Sequence, residues 1–288
     1  MFQTLIDVPT LARHLTDPRW CVIDCRHDLG DFGAGARHYA ASHLPGAHFA
    51  RIEEDLSGPR TPETGRHPLP DPEALLALLR GFGVDDDTQV VAYDASGGVF
   101  ASRLWWLVRS LGHASVAVLD GGWQRWLAEG GAVSHEPPLA RPGTLKRRPP
   151  LTALVTTPDV EAELHRGEAG RTFLLVDARS PERYRGEHEP IDPVAGHIPG
   201  ALLRPWQENL APDGRFKEPG LLAQEFRGVF GPGPQLPVAH TCGSGVTACH
   251  NLLAMVVAGW PVEPLLYAGS FSEWIRDPMH PVVTGPAP

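Results

Sequence analysis

The chain repeats itself. WCVIDCRHD and SHLPGAHF in the first half return as FLLVDARSP and GHIPGALL in the second. Asp24 and Arg26 match Asp177 and Arg179 at an offset of 153, and His43, Pro45 and Gly46 match His197, Pro199 and Gly200 at 154. Farther on, VAYDASGGVFAS aligns with VAHTCGSGVTAC at an offset of 147, and LDGGWQRW with YAGSFSEW at 148. Four matched blocks in one order, with little drift, describe a duplicated domain. A period near 150 residues makes a tandem pair, not a solenoid. Each half of the 288 residues is long enough to bury its own core.

The join falls in HEPPLARPGTLKRRPPLT, which is rich in Pro and basic residues and lacks apolar periodicity. The expected boundaries are a first domain over 1–135, a linker over 136–151 and a second domain over 152–288. Within the second half, 173–178, 236–240 and 263–267 read as strands buried on both faces. GLLAQEFRGVF and VTACHNLLAMVVAGW carry helical spacing, the latter with Val246, Cys249, Leu252, Leu253, Val256 and Val257 on one stripe. Strand alternating with helix predicts an α/β fold in each half, a mostly parallel sheet flanked by helices on both faces.

Composition narrows the function. A formal charge of −9 argues against a nucleic-acid or anionic-membrane surface, which wants a basic stripe. No apolar run approaches the roughly 20 residues of a membrane span, and the N-terminus lacks the pattern of a signal peptide. Four cysteines, Cys21, Cys25, Cys242 and Cys249, are too few for a disulfide scaffold and fit reduced thiols in the cytoplasm.

The committed stretch is HTCGSGVTACHN, residues 240–251. It lies between a strand ending near His240 and a helix starting near Val246, beyond the carboxyl end of a parallel strand, where such sheets bind ligands. A thiol there meets unpaired helix N–H groups and the positive end of the helix dipole. Gly243 and Gly245 let the backbone curl so that several N–H groups aim at one point. About 2–3 kcal/mol of such stabilisation makes the thiolate dominant at neutral pH. Cys242 therefore reads as a nucleophile. The alternative, a zinc site from His240, Cys242, Cys249 and His250, has no common spacing, and Cys249 falls on the apolar stripe. Cys21 and Cys25 read as packed thiols. The repeat supplies an internal control: alignment sets Ala95 opposite Cys242, so only the second half carries this thiol.

The duplicated halves, HIPGA and CGSGVTA together resemble the two-domain rhodanese-like sulfurtransferases over nearly the whole chain. The resemblance implies a silent first domain and a second-domain cysteine, Cys242, that cycles through a persulfide without metal or organic cofactor. The loop Cys242–Thr247 is similar to the 3-mercaptopyruvate branch; the thiosulfate branch typically carries Arg and Lys where this chain has Gly243 and Ser244. A compact dianion gains from cations beside the thiol, whereas a monocarboxylate suits a neutral loop with a separate cation. The loop residues Gly243, Gly245, Val246 and Thr247 are expected to line the substrate. Arg183 matches an arginine that anchors the substrate carboxylate, with Arg185 as the neighbouring alternative. His67 matches a first-half histidine, which with Ser244 and an acidic residue, here Glu53, forms a proton relay. Ile191 stands where the branch often has a further arginine.

The expected donor is 3-mercaptopyruvate, or alternatively thiosulfate. The expected acceptors are cyanide, a small thiol or thioredoxin. A phosphatase would need Arg where the chain has Ala248, and a non-catalytic rhodanese-like module would usually lack the cysteine. The paired His43/His197 and the Asp-x-Arg pairs occur in both halves and so read as turn and loop braces.

Overall fold

A computed structural model describes residues 1–139, 141–167, 170–231 and 236–286. Ala140 of the expected linker and the last two residues of the second domain lie outside the described residues. The chain divides into two compact units. One comprises Met1–Gly58, Leu69–Leu151 and Pro212–Phe216; the other comprises Pro59–Pro68, Thr152–Ala211 and Lys217–Pro288.

The first unit holds strands β1 (Leu5–Ile6), β2 (Trp20–Asp24), β3 (His48–Phe49), β4 (Gln89–Tyr93) and β5 (Val116–Leu119). They form one sheet in the order β1-β5-β4-β2-β3, every pairing parallel. Its helices are α1 (Val8–Ala12), α2 (Ala34–Ala41), α3 (Pro72–Gly81), α4 (Val99–Ser110) and α5 (Gly122–Ala128). Ile6, Val22, Val91, Ala117 and Leu119 from the strands meet Leu11, Leu44 and Trp126 in its core. The stretch expected as a linker straps onto this unit. The Gly143 N–H donates to Arg80 O at 2.7 Å, Leu145 N–H to Val84 O at 3.0 Å and Arg148 N–H to Leu111 O at 2.9 Å, and Leu145 is buried. A strap docked through its backbone needs no apolar period, which is why its sequence reads as a spacer.

The second unit repeats the plan with β6 (Ala153–Val155), β7 (Leu174–Asp177), β8 (Leu202–Leu203), β9 (Val238–Thr241) and β10 (Leu265–Tyr267), ordered β6-β10-β9-β7-β8 and again parallel throughout. Its helices are α6 (Thr157–Arg166), α7 (Pro181–Arg185), α8 (Pro219–Phe230), α9 (Thr247–Val257) and α10 (Ser270–Trp274). Thr156 and Asp159 form a capping box that starts α6. α9 departs from the expected single stripe: Ala248 to Met255 are all buried. The helix packs on β9 and β10 on one side and on α8 and the Trp206–Asn209 turn on the other. Its polar residues are consequently bonded: Asn209 Nδ2 donates to Asn251 Oδ1 at 2.6 Å and lies 3.1 Å from His250 Nδ1. Satisfying these groups removes the cost of burying them.

The braces also repeat. Arg26 forks onto Asp24, with Nη2 to Oδ2 at 2.6 Å, and stacks over Trp123 at 4.3 Å. Arg179 forks onto Asp177 at 2.7 Å and stacks over Phe271 at 4.0 Å. His43 Nδ1 lies 2.8 Å from Tyr39 O, and His197 Nδ1 lies 2.7 Å from Tyr184 O, each imidazole stacked on that same tyrosine. These groups hold loops in both halves.

Candidate active site

Strand β9 ends at Thr241, and the chain turns through Cys242–Val246 before α9 begins. Two amides reach the sulfur: Gly245 N–H at 3.1 Å and Ser244 N–H at 3.5 Å from Cys242 Sγ. The sulfur thus sits in a cradle of backbone dipoles whose positive ends point at it. Gly245 is required twice over. Its φ is +78°, and an added Cβ would lie 2.4 Å from Ala268 O.

The start of α10 clamps the loop from the other side. Phe271 N–H donates to Cys242 O at 3.0 Å, and Ser272 N–H to Gly243 O at 2.9 Å. Ser270 Oγ accepts the Cys242 N–H at 3.1 Å and donates to Tyr267 O at 2.9 Å. Sequence reasoning missed Ser270; its signal was a non-glycine residue at the place where the other repeat has Gly122.

Segment 59–68 belongs to this same unit, and it brings His67 and Arg66 to the loop. His67 Nδ1 lies 2.7 Å from Ser244 Oγ, with both side chains buried. Arg66 Nη1 donates to Asp192, and Arg183 Nη2 donates to the other Asp192 oxygen at 2.9 Å. Arg183 Nε also bonds both oxygens of Glu189, at 3.0 and 2.9 Å. Burial pushes the Asp192 carboxyl above its ordinary value, although both arginines pull it down. For Glu189 burial also pushes upward, but the Arg183 bond and the Asp192 and Ile191 amides outweigh it and lower the carboxyl. A Cβ on Gly243 would meet Arg66 Nη2 at 2.6 Å and Arg183 Nη2 at 3.4 Å, so both guanidinium groups face the loop. Arg185 instead pairs with Glu187 and is half-exposed. Ile191 is exposed and brings no cation. Val246, buried, precedes the helix, and Thr247 opens it half-buried. Glu53 belongs to the first unit, where its carboxylate lies 3.9 Å from His27 Nε2.

The four residues weighed as zinc ligands have other partners. His240 Nε2 lies 2.9 Å from Met255 Sδ, His250 faces Asn209, and Cys249 donates to Gly245 O at 3.3 Å. Burial, reinforced by Arg204, drops the His240 pKa to about 3. Among the described residues, no cluster of His, Cys, Asp and Glu is arranged to hold a metal ion.

Strand register corrects the internal alignment. Asp24 pairs with Tyr93, and its counterpart Asp177 pairs with Thr241. The residues that follow, Asp94 and Cys242, are therefore equivalent, and Ala95 matches Gly243. The shared Val-Ala at 91–92 and 238–239 had pulled the sequence alignment one residue off. Gly97 and Gly245 now coincide with φ of +71° and +78°, and Gly122 and Ser270 both have φ of +54°. Asp94 fills its own cradle: Oδ1 accepts Ser96 and Gly98 N–H at 2.8 and 2.9 Å, and Oδ2 accepts Phe100 and Ala101 N–H at 2.8 and 2.9 Å.

The rhodanese-like domain family model matches twice, over residues 7–129 and 156–277. A probable 3-mercaptopyruvate sulfurtransferase of Pseudomonas aeruginosa is 48% identical over 98% of each chain. The thiosulfate sulfurtransferase of Mus musculus is 36% identical over 96% of this chain and 93% of its own. The solved structure of SseA from Escherichia coli, described with the rhodanese fold of 3-mercaptopyruvate sulfotransferases, superposes with a TM-score of 0.80. It is 32% identical and covers 94% of this chain and all of its own.

Proposed function

The chain belongs to the rhodanese-like family, and we propose that it is a sulfurtransferase moving sulfur from 3-mercaptopyruvate through a persulfide on Cys242. The observation that carries this is the pair of amide N–H groups on Cys242 Sγ beside a loop with no basic side chain of its own. The relatives' names bear on both candidate donors.

The Cys242 thiolate attacks the donor sulfur. A sulfur–sulfur bond forms, the carbon–sulfur bond breaks, and the electron pair leaves as the enolate of pyruvate. That carbon takes a proton, for which Ser244 Oγ and His67 Nδ1, 2.7 Å apart, offer a route. The cradle dipoles are fixed in advance, so they hold charge on sulfur without reorganising. Cyanide, a small thiol or a dithiol protein then attacks the outer sulfur and frees the thiolate, which is ping-pong chemistry with a covalent intermediate. Glu53 keeps the relay role that the resemblance implies, and Glu53→Gln should then lower kcat with mercaptopyruvate. We assign the work to the cytoplasm.

Steady-state kinetics with each donor, cyanide as common acceptor, test the reading. Mercaptopyruvate should win by about tenfold in kcat/KM, or about 1.4 kcal/mol of transition-state preference. A thiosulfate preference would keep Cys242 as nucleophile and overturn the donor assignment.

A further inference from the structure

We propose that the second unit carries a binding site for a small apolar monocarboxylate, in a cavity between α6, β7 and the Pro199–Gly200 turn. None of its lining residues belongs to the Cys242–Thr247 loop, and the proposal does not rest on the donor reading above. The cavity measures about 210 Å³, and Val160, Leu164, Phe173, Leu175 and Pro199 give it apolar walls. Protein interiors are close-packed, so a void of this size is uncommon. An apolar cavity of roughly 150 Å³ holds benzene. This one therefore has room for a ring with a carboxylate attached.

Two charged side chains line the cavity, and they differ in what they already hold. Glu163 accepts the Thr172 N–H at 2.5 Å, the Thr172 hydroxyl at 2.7 Å and Arg166 Nη1 at 3.0 Å. Its charge and its lone pairs are committed. Arg171 is half-buried and, among the described residues, makes no hydrogen bond or ion pair. Its Nη2 lies 3.5 Å from the point where a Gly200 Cβ would be, so the guanidinium reaches the turn that forms one wall. A free guanidinium beside an apolar cavity suits a carboxylate, which can take two parallel charge-assisted bonds from it. One free cation matches one negative charge, and the Glu163 carboxylate in the same lining disfavours a second.

The first unit shows how the same corner is built without such a site. Strand register and the helix N-caps Asp7 and Thr156 equate the two repeats here. Trp20 then stands for Phe173, His14 for Glu163, Leu15 for Leu164 and Pro18 for Arg171. The rings of His14 and Trp20 stack with centroids 4.2 Å apart and planes 4° from parallel, and Phe2 lies 6.0 Å from Trp20. The first half thus places stacked rings at this corner and offers no cation. The second half has smaller or charged side chains at the same positions, keeps the room and adds an arginine.

The test is an NMR titration of the full-length, methyl-labelled protein with benzoate. Saturable shifts of the Val160, Leu164 and Leu175 methyl signals are expected. Arg171→Gln should weaken benzoate by about tenfold, and Arg171→Lys should recover part of the loss because it keeps the charge without the fork. Benzamide has nearly the same shape without the charge; it should bind about tenfold more weakly than benzoate and be indifferent to Arg171→Gln. Phe173→Trp, which copies the first unit, should abolish binding. Should that variant fail to fold, the Arg171 and benzamide comparisons carry the test without it. The proposal is overturned if these methyls do not shift, if benzoate shifts only the amides of the Cys242–Thr247 loop, or if Arg171→Gln binds benzoate as wild type does. Equal affinity for benzoate and benzamide overturns it as well.

Discussion

The Ser270 hydroxyl accepts the Cys242 amide N–H at 3.1 Å from a backbone with φ of +54°, a conformation that side chains other than glycine rarely adopt. The equivalent residue of the first unit, Gly122, has the same φ without strain. A strained serine where glycine would fit is explained by what its oxygen does: it fixes the amide of the nucleophile. Ser270→Ala should keep the strain and orphan a buried N–H, costing about 1–3 kcal/mol. Ser270→Gly should lose the same bond but relieve roughly 1 kcal/mol of strain. Chemical denaturation should rank the glycine variant above the alanine one, and both should form persulfide more slowly than wild type.

Asp94 should be a stability residue of the first unit. Its carboxylate accepts four amide N–H groups, and the amide of Asn has only one oxygen to offer. Asp94→Asn should therefore destabilise the protein by about 2 kcal/mol or more in denaturant titration, while sulfur transfer by the folded fraction stays unchanged.

Acid should loosen the hold on Arg183. The Glu189 carboxyl is lowered in the folded protein, after its bonds to Arg183 and two amides outweigh burial. A lowered folded-state pKa contributes stability that is present above the unfolded value and lost as pH falls through the folded one. Asp192 is shifted in the opposite direction and offsets part of this effect. Glu189→Gln should flatten the acid limb of the stability profile and raise the KM for mercaptopyruvate at neutral pH.

Thiol labelling should separate the cysteines. Burial pushes Cys21 up to about 12 and Cys25 well above its ordinary value, so neither is a thiolate near pH 8. Alkylation of the native protein followed by peptide mapping should spare both and mark the Cys242 peptide, one sulfur atom heavier when the cysteine carries a persulfide.

Much of this was legible from residues alone. The duplication, the parallel α/β plan and the cradle around Cys242 follow from matched motifs, buried strand runs and a Gly-x-Gly turn. What could not be read depends on three-dimensional proximity. Asp94 escaped notice because a chance Val-Ala identity shifted the alignment by one residue, and only strand register corrects it. Arg66 is an unremarked arginine in the sequence; it matters because segment 59–68 packs with the second unit. α9 reads in sequence as one apolar stripe, whereas Asn251 and His250 off that stripe are also buried, on partners distant in sequence.

The most direct test of the account is the mass of the protein after brief exposure to 3-mercaptopyruvate without acceptor. One added sulfur atom, mapped to the Cys242 peptide, released by cyanide and absent from Cys242→Ser, is the predicted result. A protein that turns over mercaptopyruvate without gaining sulfur at Cys242, or a Cys242→Ser variant that still gains it, would contradict the account.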